Sequence, residues 1–219
     1  MNYKGWNSGM SSRTIDQYIL KIGEIFEGRI SVIINKLRFK AGRFEYGKGF
    51  QTMGTIRIRN KGGKLTVGDN VFITSSNRFN PISGLTKTNI QLLPGASITI
   101  GDYAGLSNVS ITSAKQITIG KHVFIGDGAR IYDTDFHSLD PSVRGTDRDF
   151  EETKHLEVTI EDYAFIGTQA IILKGVTIGK SSIVAAGSVV TKSIPTGEIW
   201  GGNPAVFIKK LPKTYRINE

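Results

Sequence analysis

Residues 158–192 read VTIEDYAFIGTQAIILKGVTIGKSSIVAAGSVVTK, and stepping through them by six lands on Ile160, Ile166, Ile172, Ile178, Val184 and Val190. The same step upstream lands on Ile119, Ile125 and Ile131. The fifth residue of these hexads is small or aliphatic at Val123, Ala129, Ala164, Ala170, Val176, Ser182 and Ser188, with Gly, Asp, Lys and Ser between. A helix repeats every 3.6 residues and a strand every 2, so a period of six with two inward positions requires a corner in every hexad. Three such sides close a triangular coil, and stacked coils share a column of Ile and Val that no single coil could bury.

A longer marker recurs at Leu65–Asp69, Ile98–Asp102, Ile117–Lys121, Val158–Asp162 and Val176–Lys180. Val67 and Ile73 give two regular steps, then residues 79–95 lose the register in a stretch rich in Asn, Pro, Gly and Thr. Stepping resumes at Ile100 and Leu106, slips by one residue between Thr112 and Lys115, and continues from Ile119. The grid breaks again after Ile131, where the chain reads Asp133-Thr134-Asp135-Phe136-His137-Ser138-Leu139-Asp140-Pro141 and enters a loop, 138–157, before Val158. After Thr191 the chain leaves the grid through Pro195 and Gly202-Asn203-Pro204, and residues 195–219 form a tail.

The N-terminal third has a different texture. Residues 1–12 are polar, and a capping box of Thr14 and Gln17 is expected to start a helix. Ile15, Tyr18, Ile19, Ile22, Phe26, Ile30, Ile33, Ile34 and Leu37 recur at three- and four-residue spacing, with Lys21, Arg29, Lys36 and Arg38 largely off the stripe. This stripe either packs on the rest of the protein or its oligomer partner, or lies on a membrane as a basic amphipathic helix. Residues 1–50 are therefore read as a basic arm and 51–219 as one domain.

In 219 residues with a net charge of +9, residues 1–64 hold 13 Lys or Arg against 4 Asp or Glu, so all of the excess sits in the first third of the chain. The repeat region is neutral and has no basic stripe interleaved with aromatics, which argues against a nucleic-acid partner. The absence of cysteine leaves no disulfide framework and no thiolate metal site. No apolar run reaches the roughly 18 residues of a membrane span. A cytoplasmic protein is expected, with the arm as its one candidate contact to the inner membrane face.

Ile160 to Val190, with Gly167, Gly179 and Gly187, resembles the left-handed parallel β-helix of the hexapeptide-repeat acyltransferases. The fold expected is an all-β solenoid of hexapeptide repeats with an N-terminal amphipathic helix and one long loop. Its hand comes from the resemblance, because the usual right-handed crossover rule would not give it. The segment around His137 is similar to that of the sugar O-acetyltransferase branch, related to maltose, galactoside and polysaccharide-biosynthesis acetyltransferases. Ala185–Lys192 resembles the acetyl-CoA-binding coil of that branch, and Gly202–Ala205 the turn after its last coil.

The resemblance implies a homotrimer with sites between subunits that moves an acetyl group from acetyl-CoA to a sugar hydroxyl. Such a transfer needs a base for the hydroxyl proton, and histidine, with an unperturbed pKa of about 6.5, is neutral yet basic near neutrality. His137 replaces an aliphatic on the grid at the mouth of a loop, so it is the expected base. Asp133 and Asp135 are the candidates to orient it, although Asp135 falls at an inward position where a carboxylate needs a partner. By resemblance Asn108 lies near the acceptor, the backbone of Thr168 and Ala186 meets the pantetheine arm, Thr191 lies near the adenosine end, and Lys192 and Lys209 meet phosphates. The polar loop, with Arg144 and Arg148, is expected to help select the acceptor.

The same fold carries zinc carbonic anhydrases, which need three facing histidines including a pair five apart, whereas His122, His137 and His155 are spaced by 15 and 18; no metal is expected. N-acetylation of an amino sugar, or acetylation of an antibiotic or serine, is the alternative chemistry. A noncatalytic scaffold would not explain why the break in the grid coincides with the histidine. With no cysteine and no serine in a nucleophile motif, direct transfer without an acyl-enzyme is expected.

Overall fold

A corner in every hexad is what the backbone shows. The computed structural model describes residues 15–80, 82 and 87–215, and its strands fall in rotation onto three faces. The first face holds Glu45–Tyr46, Lys64–Val67, Ser97–Ile100, Gln116–Ile119, Val158–Ile160 and Thr177–Ile178. The second runs through Gln51–Gly54, Phe72–Ser75, Gly105–Ser107, Phe124–Ile125, Phe165–Ile166, Ile183–Val184, Glu198–Gly202 and Ala205–Lys210. The third holds Arg57–Asn60, Asn89–Leu92, Ser110–Ser113, Arg130–Tyr132, Ile171–Ile172 and Val189–Val190. Neighbouring strands are parallel except in the final hairpin, so the chain winds as a parallel β-helix of triangular section.

The six-residue grid becomes the register. Ile119 lies over Ile160 and Ile178, Ile125 over Ile166 and Val184, and Ile131 over Ile172 and Val190. All nine are buried, and each ladder extends the column that its own coil could not close.

Three irregular stretches differ from the sequence reading. The first face begins at Glu45–Tyr46, paired with Thr66 and Val67, so coiling starts inside the segment read as the arm. Between 79 and 95 the register is lost only as far as Thr88; Asn89–Leu92 rejoins the third face with Ile90 and Leu92 fully buried. The slip at 112–115 is a tight turn held by Asp133, whose carboxylate accepts the Ser113 hydroxyl at 2.7 Å and the N–H groups of Ala114 and Lys115 at 2.6 and 2.9 Å.

Helix α1, Ile15–Ala41, closes the first end of the column. Residues 1–12 and the expected cap at Thr14 lie outside the described residues, as does the side chain of Gln17. Among the described side chains of α1, Ser31, Asn35 and Phe39, spaced by four, are the buried positions. Phe39 sits edge-on to Phe44 and Tyr46 at 5.7 and 5.5 Å and against Phe50. Asn35 donates to the Thr52 hydroxyl and the Gly54 carbonyl, both at 2.9 Å, and accepts the Ile56 N–H at 3.1 Å; Arg38 donates to the Ile56 carbonyl.

The periodic apolar stripe is therefore not the face turned to the body. Tyr18, Ile22, Phe26, Ile30, Ile33 and Leu37 are exposed. The first coil has no coil above it, so its backbone groups need hydrogen-bonding partners. An asparagine supplies both donor and acceptor, which an isoleucine stripe cannot. Asn35→Leu would strand the Gly54 carbonyl and the Ile56 N–H, and is expected to destabilise the fold by about 2–4 kcal/mol, read as a lower urea midpoint with an unchanged slope.

Candidate active site

The insertion leaves the third face after Tyr132 and returns to the first at Val158, with its neck closed by an antiparallel bridge between Thr134 and His155. His155 braces this neck, its Nδ1 lying 2.9 Å from the Thr134 hydroxyl and its Nε2 3.3 Å from the Phe150 carbonyl. Beyond the neck the loop folds around one carboxylate, that of Asp149, at the start of the short helix α2, Asp149–Glu152.

Asp149 accepts the Ser138 N–H at 2.6 Å on Oδ1 and the Gly145 N–H at 2.8 Å on Oδ2, and Oδ2 lies 2.7 Å from His137 Nδ1. Gly145 has φ +82, the left-handed conformation glycine adopts without cost, and this turns its N–H toward the carboxylate. Arg144 donates from Nε to the Ser138 carbonyl at 3.0 Å and from Nη2 to the Leu139 carbonyl at 3.1 Å, which fixes the strand of loop next to the histidine. The Ser138 N–H above all, then His137 and the Gly145 N–H, hold the Asp149 carboxyl down at about 2, from an ordinary 3.8.

An ionised Asp149 makes Nδ1 the protonated nitrogen of the neutral ring, because an acceptor-only carboxylate needs a donor. Nε2 is then left with its lone pair, on a side chain that is 66 % exposed. The arrangement is a histidine held in one tautomer with its basic nitrogen free of the coil.

Neither carboxylate expected to orient His137 does so. Asp133 is fully buried in the 112–115 turn. Asp135 pairs with Lys174 at 2.5 Å, and its second oxygen is buried without a partner. The reason is geometric: alternate residues of a strand leaving the coil point inward, whereas His137 has already turned out into the loop. Asp149 stands 12 residues away in sequence, and nothing there distinguishes it from Asp147 or Glu151. Arg148 pairs with Glu152 at 3.3 Å in solvent.

The other expected residues line different corners. Asn108, at φ +48, lies between the second and third faces, fully buried. Its Nδ2 donates to Asp127 Oδ1 at 2.5 Å and to the Asn80 carbonyl at 3.2 Å, a buried pair the sequence did not expose. Thr168 and Ala186 stack down the same corner: the Thr168 carbonyl accepts the Gly187 N–H at 2.8 Å. A Cβ on Gly126 would stand 2.6 Å from the Thr168 nitrogen, and one on Gly167 2.5 Å from that of Ala186, so these turns pack backbone on backbone. Among the described residues nothing within the chain accepts the N–H of Thr168 or of Ala186. Thr191 and Lys192 follow the third face, and Lys209 lies exposed on the final hairpin. His137 and the Asn108–Thr168–Ala186 corner thus occupy different edges of the column.

The three histidines lie apart, each with partners of its own. His122 is a rung between Tyr103 and Tyr163, each ring centroid 4.8 Å away and nearly parallel. His155 braces the loop neck, His137 meets Asp149, and among the described residues no three His, Asp or Glu side chains converge.

A triangular β-helix bearing an outward histidine–carboxylate pair defines a hexapeptide-repeat protein with an edge site. Residues 157–192 match the family model described as bacterial transferase hexapeptide (six repeats). The mitochondrial gamma carbonic anhydrase 2 of Arabidopsis thaliana is 32 % identical over 195 residues, 78 % of this chain and 68 % of that protein. The galactoside O-acetyltransferase of Lactococcus lactis is 34 % identical over 111 residues, 51 % of each chain. Among solved structures, the hexapeptide-repeat acetyltransferase VCA0836 of Vibrio cholerae, complexed with acetyl coenzyme A, aligns over 94 % of both chains with a TM-score of 0.53 and 27 % identity. The chain belongs to the hexapeptide-repeat transferase family. It spans about half the length of the curated acetyltransferases it matches.

Proposed function

We propose that the protein is an acetyl-CoA-dependent O-acetyltransferase acting on a sugar hydroxyl, with His137 as general base, in surface-polysaccharide or related saccharide synthesis. The observation that carries this reading is the 2.7 Å contact between His137 Nδ1 and an ionised Asp149, which leaves Nε2 basic and exposed. Nε2 takes the proton of the acceptor hydroxyl as its oxygen attacks the thioester carbonyl. The imidazolium so formed, stabilised by Asp149, returns the proton to the departing thiolate. The N–H groups of Thr168 and Ala186 suit the amide carbonyls of a pantetheine arm, and Lys192 and Lys209 suit phosphates as point charges.

Because His137 and the Thr168–Ala186 corner lie on different edges, a complete site draws on two copies, and the working form is a homotrimer of left-handed coils. The second face supports this with an outward row, Phe72, Phe124, Phe165, Ile183 and Ile199, of which Phe124 and Phe165 are 49 and 46 % exposed. A second copy would cover such a row. The cytoplasm is the proposed compartment.

The test is a thiol-release screen with acetyl-CoA over glycosides, nucleotide sugars, lipid-linked saccharides and amino sugars, beside a carbon dioxide hydration assay. Release supported by hydroxyl acceptors is expected. Release with amino acceptors alone would make the reaction N-acetylation, and hydration without thiol release would overturn the transferase reading.

A further inference from the structure

We propose that α1 docks the protein on an anionic lipid surface, lying along the bilayer on its outward stripe. Ile22, Phe26, Ile33 and Leu37 are each at least 60 % exposed, and Tyr18 and Ile30 extend the row. Spaced by three and four residues, they occupy one side of the helix opposite Ser31, Asn35 and Phe39, which fasten it to the first coil. The stripe therefore faces away from the body, and the contacts that would let it turn inward are already taken by Asn35 and Arg38.

The charge on this side selects the occupant. At 100° per residue Arg29, Lys36 and Lys40 fall along one edge of the stripe, the edge that Tyr18 and Ile22 form, and all three are exposed. Glu27 lies off that edge and pairs with Arg78 at 3.4 Å. Two such stripes packed antiparallel would bring these cationic edges together, and the edge carries no acidic residue to offset them, so a second copy is the poorer cover. An acidic headgroup layer above acyl chains matches both the cations and the apolar side chains. No helix among the described residues is long and apolar enough to cross a membrane, which leaves α1 lying on the surface.

The experiment is co-sedimentation of the full chain with vesicles of phosphatidylcholine alone and of phosphatidylcholine mixed with phosphatidylglycerol. Binding to the mixed vesicles only, weakening as salt is raised, is expected. The double variant Phe26→Ser, Ile33→Ser should lower the partition coefficient at least about tenfold, with oligomer mass and thiol release unchanged. Wild-type protein that stays in the supernatant, or a variant that binds equally well, would overturn the proposal. A variant of reduced oligomer mass would also overturn it, by assigning the stripe to a second copy.

Discussion

His137→Ala is expected to lower acetyl transfer by about 10²- to 10⁴-fold, the range general-base catalysis contributes, while circular dichroism and light scattering report the same fold and mass. The side chain makes one hydrogen bond, to Asp149, and is otherwise in solvent. Its removal therefore opens no cavity in the Ile and Val column, and a loss of rate cannot be read as a loss of folding. The measurement is acceptor-dependent thiol release from acetyl-CoA under single-turnover conditions, which separates chemistry from coenzyme binding. Near-normal turnover would remove His137 from the mechanism.

Asp149→Asn should cost roughly 10²- to 10⁴-fold in kcat, with the KM for acetyl-CoA little changed, because Asp149 acts through the histidine. An asparagine can still accept the Ser138 N–H with its oxygen. Its NH2 then occupies the place of Oδ2, where it opposes the Gly145 N–H and offers a donor to His137 Nδ1. The ring proton is driven to Nε2, the nitrogen that must be bare. The pH dependence of stability gives a second readout. The folded carboxyl titrates at about 2, below its ordinary 3.8, so its contribution is fully present above 3.8 and is lost as pH falls toward 2. The stability difference between wild type and Asp149→Asn should therefore be constant near neutrality and shrink across that interval. Asp133→Asn makes the contrast: it should lower stability through the 112–115 turn, with kcat per folded molecule preserved. Loss of kcat without loss of stability in Asp133→Asn would return the orienting role to that residue.

The sequence carried the fold because a β-helix writes its cross-section into local spacing. The side of the triangle, the inward positions and the break at Ile131 are all properties of one hexad and its neighbours, and the hexads at Ile160 to Val190 are regular enough to count. It also placed His137 outside the column, since a polar residue replaces an aliphatic one at the step where the period stops. The resumption at Ile90 was hidden because the excursion before it follows no period, and a restart is visible only against the coils it pairs with.

What the sequence could not supply were contacts between residues that no period relates. Asp133 stood in the same segment as His137 and was a candidate to orient it; the coil instead turned it inward onto a turn 20 residues upstream. Asp149 was one acid among several until the loop folded back and two backbone N–H groups converged on it. The stripe of α1 was fully legible as a stripe, yet which side of the helix met the body depended on the open end of the first coil, whose unpaired backbone groups required Asn35. Local periodicity determined the architecture and the position of the histidine. Only the tertiary structure decided which carboxylate holds that histidine and which face of α1 is left to solvent, because both are set by hydrogen-bonding demands that arise after the chain has closed on itself.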